Sequence, residues 1–325
     1  MAQFPSAYTN RPVDPVVQSL TFALANKNDS FIYQNVLRPT PTQSQSTGTI
    51  MGINTETFFG DSAASYERGE GGTYSEAFGP KLTNTTFRCQ EYGRMIGVDR
   101  KTLSRSELPA DLRAVHNAQI MTHLRIAQEV RGATLFGTSG NWTNSNTPGN
   151  KWDAAAGDPI GDLEVAIETV AGYGLRPNTI IMGRQARRTL QKSPAFLEFL
   201  PTTGDRNIVP TGMLRGKLAE LFEVQANRVF FGDAVRNTAH PGKTVTLADI
   251  WGDWVWVGYL DVGSVAIEGG VSVQPTAAAR FVEADWEMVE WEDEARNSLI
   301  TRVSHSEDDV VIQAQLGYLI DNVTT

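Results

Sequence analysis

The sequence predicts an α+β chain of several parts, not all of which close on themselves. Residues 106–136 hold one long helical pattern with no proline after Pro109. Residues 158–270 switch repeatedly between helical and strand patterns, the texture of a compact α/β unit. Residues 281–288 place Phe281, Glu283, Asp285 and Glu287 on one face and Val282, Ala284, Trp286 and Met288 on the other. That period of two predicts a half-buried strand. With 325 residues, 41% hydrophobic and 20% charged, the chain has material for about two domains and a real core.

Taken in order, residues 1–50 read as an arm. Val16, Leu20 and Leu24 line one side of a short helix from about 14 to 25, and the Pro-broken stretch 38–49 closes no core of its own. Residues 51–105 read as a hairpin, with 55–59 extended, a small, charged, glycine-rich tip at 60–72 and a second strand at 83–92. A lone two-stranded ribbon is marginal in water, so a neighbouring molecule is expected to hold it. The long helix opens on Ser106 as N-cap with Pro109 in its first turn; about 28 residues at 1.5 Å each span ~42 Å, a strut. Residues 137–157 read as a flexible connection. Asp158-Pro159 then starts a helix that ends at Gly172 and Gly174. The strand TIIM at 179–182 follows, with helices near 185–191, 193–200 and from Thr211, and strands at 228–231 and 253–259. Strands at 281–288, 299–303 and 310–313 dominate the end of the chain.

Composition excludes several function classes. Acids number 37 against 28 lysines and arginines, a net charge of −9, which argues against a dedicated nucleic-acid binder. All of that excess sits in 281–325, with eleven acids and two bases. One cysteine, Cys89, excludes an intrachain disulfide or a multi-cysteine zinc site, and no apolar run approaches the length that spans a bilayer. Signatures for P-loops, dinucleotide folds, nucleophile elbows and metalloproteases are missing, and GEGG at 69–72 reads as hairpin tip rather than a phosphate cradle. His116 and His123 share a helix face without an evident third ligand, and His305 in SHSEDD reads as part of a solvated turn. Arg184, Arg187 and Arg188 read as a solvated helix face, Cys89 as an inert buried thiol, and the tryptophans at 251, 254 and 256 as core. The acids at 283, 285 and 287, with 290 and 292–294 nearby, form a wide stripe rather than a catalytic pair, suited to basic residues of a neighbour. No catalytic residue, metal or cofactor is expected. Parts that cannot satisfy themselves within one molecule argue for an obligate assembly.

At this point several ordered stretches resemble the major capsid proteins of tailed bacteriophages, with the Hong Kong 97-type fold. They are DPIGDLEVAIETVAGYGLRPNTIIMGRQARRTL (158–190), LADIWGDWVWVGYL (247–260) and WEDEARNSLITRVSHSEDDVVIQAQLGYLIDN (291–322). The resemblance covers about 50–322 and implies the following organisation: an N-terminal arm at 1–50 and an extended loop hairpin at 51–105, with 51–92 overlying the adjacent subunit. A peripheral domain would hold the spine helix and linker at 106–157, an α/β axial domain 158–270, and the peripheral domain's C-terminal strands 271–325. It implies a non-enzymatic virion protein, assembled in the host bacterial cytoplasm into hexamers and pentamers around double-stranded DNA bound non-specifically. Portal, scaffolding and decoration proteins would be its other partners, with no membrane. Candidate inter-subunit contacts are Phe58, Tyr66, Arg68, Glu70, Tyr74 and Phe78 in the hairpin, and Glu283, Asp285 and Glu287, for which Arg68 is the suggested mate. No lysine lies between Ile50 and Pro80, so the Lys–Asn crosslink of some members is not expected, and no Glu/Lys-rich scaffolding segment precedes the arm. The alternatives are an encapsulin-like nanocompartment shell and an α/β enzyme built on 158–270.

Overall fold

The computed structural model describes residues 11–12, 17, 30–42, 45–53, 72, 82–106, 109–197, 208–240, 242–261, 267–268, 271–272 and 275–325. In chain order come β1 (Arg11–Pro12), α1 (Tyr33–Val36), β2 (Pro39–Pro41), β3 (Thr47–Ile53), β4 (Leu82–Arg88), β5 (Gln90–Asp99), α2 (Arg100–Arg105) and α3 (Pro109–Gly137). Next are β6 (Asn144–Asn146), α4 (Pro159–Ala171), β7 (Thr179–Gly183), α5 (Arg184–Lys192), α6 (Pro194–Leu197), α7 (Thr211–Leu221), β8 (Val229–Gly232), β9 (Val235–Asn237), β10 (Leu247–Asp249) and β11 (Val255–Gly258). The remainder are β12 (Ile267–Glu268), β13 (Val271–Ser272), β14 (Ala278–Asp293), β15 (Ser298–Val311) and β16 (Gly317–Ile320).

These strands make three principal sheets. The first is a long antiparallel β14–β15 hairpin, flanked by β5 on one side and by β1 and the parallel β2 on the other. The second runs β6-β16-β11-β7-β8 and carries α4, α5 and α7 on one face. The third is β12-β13-β3-β4; β9 and β10 form a separate two-stranded ribbon. In α4 the Asp158 side chain accepts the Gly161 N–H and Pro159 fills the first turn, as its sequence predicts. Leu163, Ala166, Ile167 and Val170 face the second sheet, meeting the fully buried strands TIIM and VFFG.

The spine helix α3 spans 29 residues, about 43 Å at 1.5 Å per residue. Ala114, Ile120 and Leu124 lie on Met288 and Val303 of the first sheet. Ala133 and Phe136 reach the second sheet, beside Trp142, Trp251, Trp254 and Trp256. One element therefore fastens two sheets, which is why its pattern is long yet weakly one-sided: Val115 is exposed while Asn117, Gln128 and Glu129 are buried.

Several expectations need correction. Ser106 caps the end of α2, its N–H bonding back to Thr102 and Leu103, rather than opening α3. The strand expected at 83–92 is two strands in different sheets, parting at Cys89; nothing in a run of extended residues signals a change of partner. The partner of β4 is β3, Thr47–Ile53, which straddles the boundary set between arm and hairpin, and β13 joins its edge, so this pair is not alone; the extended stretch expected at 55–59 lies outside the described residues. The connection 137–157 is anchored by buried Trp142 and Trp152 and supplies β6. Residues 271–325 do not stay in one sheet, because β16, the GYLI phrase, inserts between β6 and β11. The expected helix at 14–25 and the tip at 60–72 lie outside the described residues, apart from Val17, which is buried and helical, and Gly72.

Candidate functional site: a buried polar node and the faces around it

Where α1, α3 and the first sheet meet, the structure buries a connected set of charges. Glu129 of α3 is 2% exposed; its Oε1 accepts the Tyr33 N–H at 2.8 Å and its Oε2 accepts Trp251 Nε1–H at 2.7 Å. One carboxylate thereby ties α1 to the tryptophan cluster. Burial pushes its pKa up to about 7, against the pull of those two donors. Beside it, Gln128 donates to both oxygens of Glu307 at 3.0 Å.

Glu307, 1% exposed, is the counter-ion of the node. Arg280 reaches it through Nε at 2.7 Å and a terminal nitrogen at 2.5 Å, Arg131 pairs with it, and His305 Nε2 lies 3.3 Å away. Burial alone would raise this carboxyl; the His305 contact, Arg280 and Arg131 outweigh it and hold the pKa at about 2. Tyr33 donates its hydroxyl to Asp309, whose pKa burial raises to about 6. The Arg280 guanidinium sits 5.1 Å from the Tyr33 ring centroid and that of Arg131 3.9 Å from Tyr92. Every carboxylate here has a fixed protein donor, so the node clamps elements together.

The sequence-predicted sites fall differently. Phe58, Tyr66, Arg68, Glu70, Tyr74 and Phe78 lie outside the described residues. Glu283, Asp285 and Glu287 lie where β14 shifts register twice, between 282 and 284 and between 284 and 287, so the strict alternation expected there is broken. Phe281 is fully buried against Phe87, Glu283 accepts from Ser306 Oγ at 2.8 Å, Glu287 lies 3.7 Å from Arg302, and Asp285 is exposed. Farther along, Glu290 pairs with Arg113 at 2.5 Å and Glu292 with Arg100. Much of the C-terminal acidity is therefore answered inside the chain.

His305 is not in a solvated turn; it is 3% exposed within β15, its ring 4.4 Å from that of Trp286. Arg184 and Arg187 do not merely solvate α5, since they pair with Asp249 and Asp233. Cys89 is a buried free thiol whose pKa burial pushes up to about 11, and the three tryptophans are core. His116 and His123 take separate partners, the Leu112 carbonyl and Arg94. Sequence reading missed the node, whose one local signal was a Gln-Glu pair within α3.

No family model matches the sequence. A "Major capsid protein" of Burkholderia phage BcepMu is 26% identical over 255 residues, covering 77% of each chain. Among solved structures, a phage-related protein from Bordetella bronchiseptica RB50 superposes with a TM-score of 0.67 at 19% identity, covering 96% of this chain and 98% of that one. The capsid of the cyanophage P-SCSP1u gives 0.54 at 12% identity over 99% and 91%. An encapsulin from Synechococcus elongatus gives 0.50 at 11% over 100% and 92%. The fold is thus the Hong Kong 97-type shell fold, shared by phage capsids. Within that class, the sequence is similar to that of a phage major capsid protein, the family its ordered stretches resemble.

Proposed function

We propose that this chain is the major subunit of a phage head, self-assembling into hexamers and pentamers that close an icosahedral shell around double-stranded DNA. The observation that carries this is a sequence relative named a major capsid protein that spans 77% of the chain. The chain works by assembly rather than catalysis. Residues 1–50 act as an arm, 51–105 as the loop over the adjacent subunit, 158–270 as the axial domain, and the spine helix with the long sheet as the periphery. A net charge of −9 suits a wall that encloses DNA without gripping it. Portal, scaffolding and decoration proteins are its further partners, and assembly takes place in the host cytoplasm before the subunit resides in the virion.

Electron microscopy of the purified protein tests the reading. Closed shells, or free hexamers and pentamers, are the expected result. A monomer or dimer under every assembly condition overturns it. The encapsulin likeness supports a second reading, which small uniform shells carrying a copurified cargo enzyme instead of DNA would select.

A further inference from the structure

The second sheet is electrically polarised from one edge to the other. At its β6–β16 edge lie residues 144–171, with five acids and one lysine. Helix α4 packs on β16 and β11 and turns Glu164, Val165 and Glu168 to solvent, Val165 being 56% exposed. At the β8 edge pack α5 and α7, and the β9–β10 ribbon follows β8 in the chain; the described residues of 184–249 carry nine lysines and arginines against four acids. Two of those acids, Asp233 and Asp249, are held by Arg187 at 2.6 Å and Arg184 at 2.5 Å. The ribbon presents Arg236 and Lys243 with Val245 and Leu247, each of the last two 65% exposed.

We propose that the acidic face of α4, centred on Val165, docks head to tail on the basic β9–β10 ribbon of a second copy, around Val245 and Leu247. This rests on the self-assembly reading and names a contact for it. The two patches have opposite charge, and each surrounds exposed apolar side chains, the arrangement of an apolar contact inside a polar rim. One packs over the β6–β16 edge of the sheet and the other follows β8, the strand of the opposite edge, so the contact is one between two copies. A contact between different patches, repeated with a constant rotation, closes a ring. A polyanion such as DNA would suit the ribbon but leave the α4 patch, with its exposed valine, without a partner.

Charge exchange tests the contact in the full chain. Glu164→Lys with Glu168→Lys reverses one face; Arg236→Glu with Lys243→Glu reverses the other. All four positions are exposed, so monomer melting temperatures should match the natural chain. Each double variant should need roughly ten-fold or more higher concentration to form rings or shells, since like charges then meet. Combining all four restores assembly. Mixing the two double variants in equal amounts should yield rings of even order only, because each face then finds its complement solely on the other variant. If either reversal fails to fold, Glu164→Gln with Glu168→Gln should still weaken assembly and remove part of its salt sensitivity. The contact is overturned if the natural chain assembles and both reversed variants, folded, assemble at the same concentration. Failure of the four-fold exchange to rescue folded, impaired variants overturns it as well. A natural chain that never associates overturns both this contact and the capsid reading.

Discussion

Glu307 and Glu129 stand within one node but titrate in opposite senses, and the reason is what faces each. Glu307 meets two guanidinium groups, and its folded pKa of about 2 lies below its ordinary 4.5. Its contribution to stability is present above about pH 4.5 and is lost as pH falls toward 2. Glu307→Gln leaves buried Arg280 and half-buried Arg131 without their counter-ion and should cost about 3–5 kcal/mol. Chemical unfolding at pH 6 would show the loss, and the acid-side slope should shrink. Glu129 meets neutral donors only, and its folded pKa of about 7 lies above 4.5. The folded state therefore holds the extra proton, and stability falls as pH rises from about 4.5 through 7. Asp309, at about 6, adds a similar loss that is complete at lower pH. Melting temperatures at pH 6 and 7.5 separate the two by substitution: the natural chain should drop between them, and Glu129→Gln should drop less, keeping only the smaller Asp309 loss.

Elements are locked here by close approaches that glycines permit. A Cβ on Gly132 of α3 would fall inside the contact distance of the Tyr33 ring. In a bare helix Gly→Ala gains about 1 kcal/mol. Tyr33 is fully buried under Arg280 and bonded to Asp309, so it cannot swing aside. Overpacking costs about 1–3 kcal/mol, so Gly132→Ala should destabilise on balance. Limited proteolysis should then cut near 31–37 first, while a stabilised protein would show the clash to be imaginary. Likewise Gly258 and Gly317 face each other across β11 and β16, where the Trp256 ring covers both and the Trp142 ring covers Gly317. The glycine in the GYLI phrase is thus a packing requirement, legible as a recurring phrase but not as a reason.

For the whole molecule, the division between internal and external contacts decides what assembly can use. On β14, Glu287, Glu290 and Glu292 pair with Arg302, Arg113 and Arg100 of the same chain, while Asp285 stays exposed. The hairpin tip is a different matter. On the capsid reading, deleting residues 60–72 should leave soluble, folded subunits, because β3 and β4 are held by the core of Ile50, Phe87, Cys89 and Phe281. Shells of that variant should be weak to dilution or heating; shells as durable as those of the natural chain would refute an inter-subunit role. With no lysine from 51 to 80, a denaturing gel of shells should show one band, and a ladder of subunit multiples would refute the absence of crosslinks.

By itself the sequence determined the parts and their order. The caps and spacing of α4, the apolar runs of β7 and β8, the long α3 and the ordered phrases at 158–190, 247–260 and 291–322 are local signals, and they were enough to recognise the shell fold. Tertiary structure alone decided which parts meet. Strand partners belong to pairs of distant segments, so the division at Cys89 and the insertion of GYLI into the second sheet had no local mark. Register shifts in β14 broke an alternation that looked regular on paper. The polar node gathers residues 33, 128–131, 280 and 305–309, and burying charge is favourable only when all the partners arrive together. That condition is a property of the folded chain, which is why a serine-histidine-acid run that reads as a surface turn becomes its buried centre.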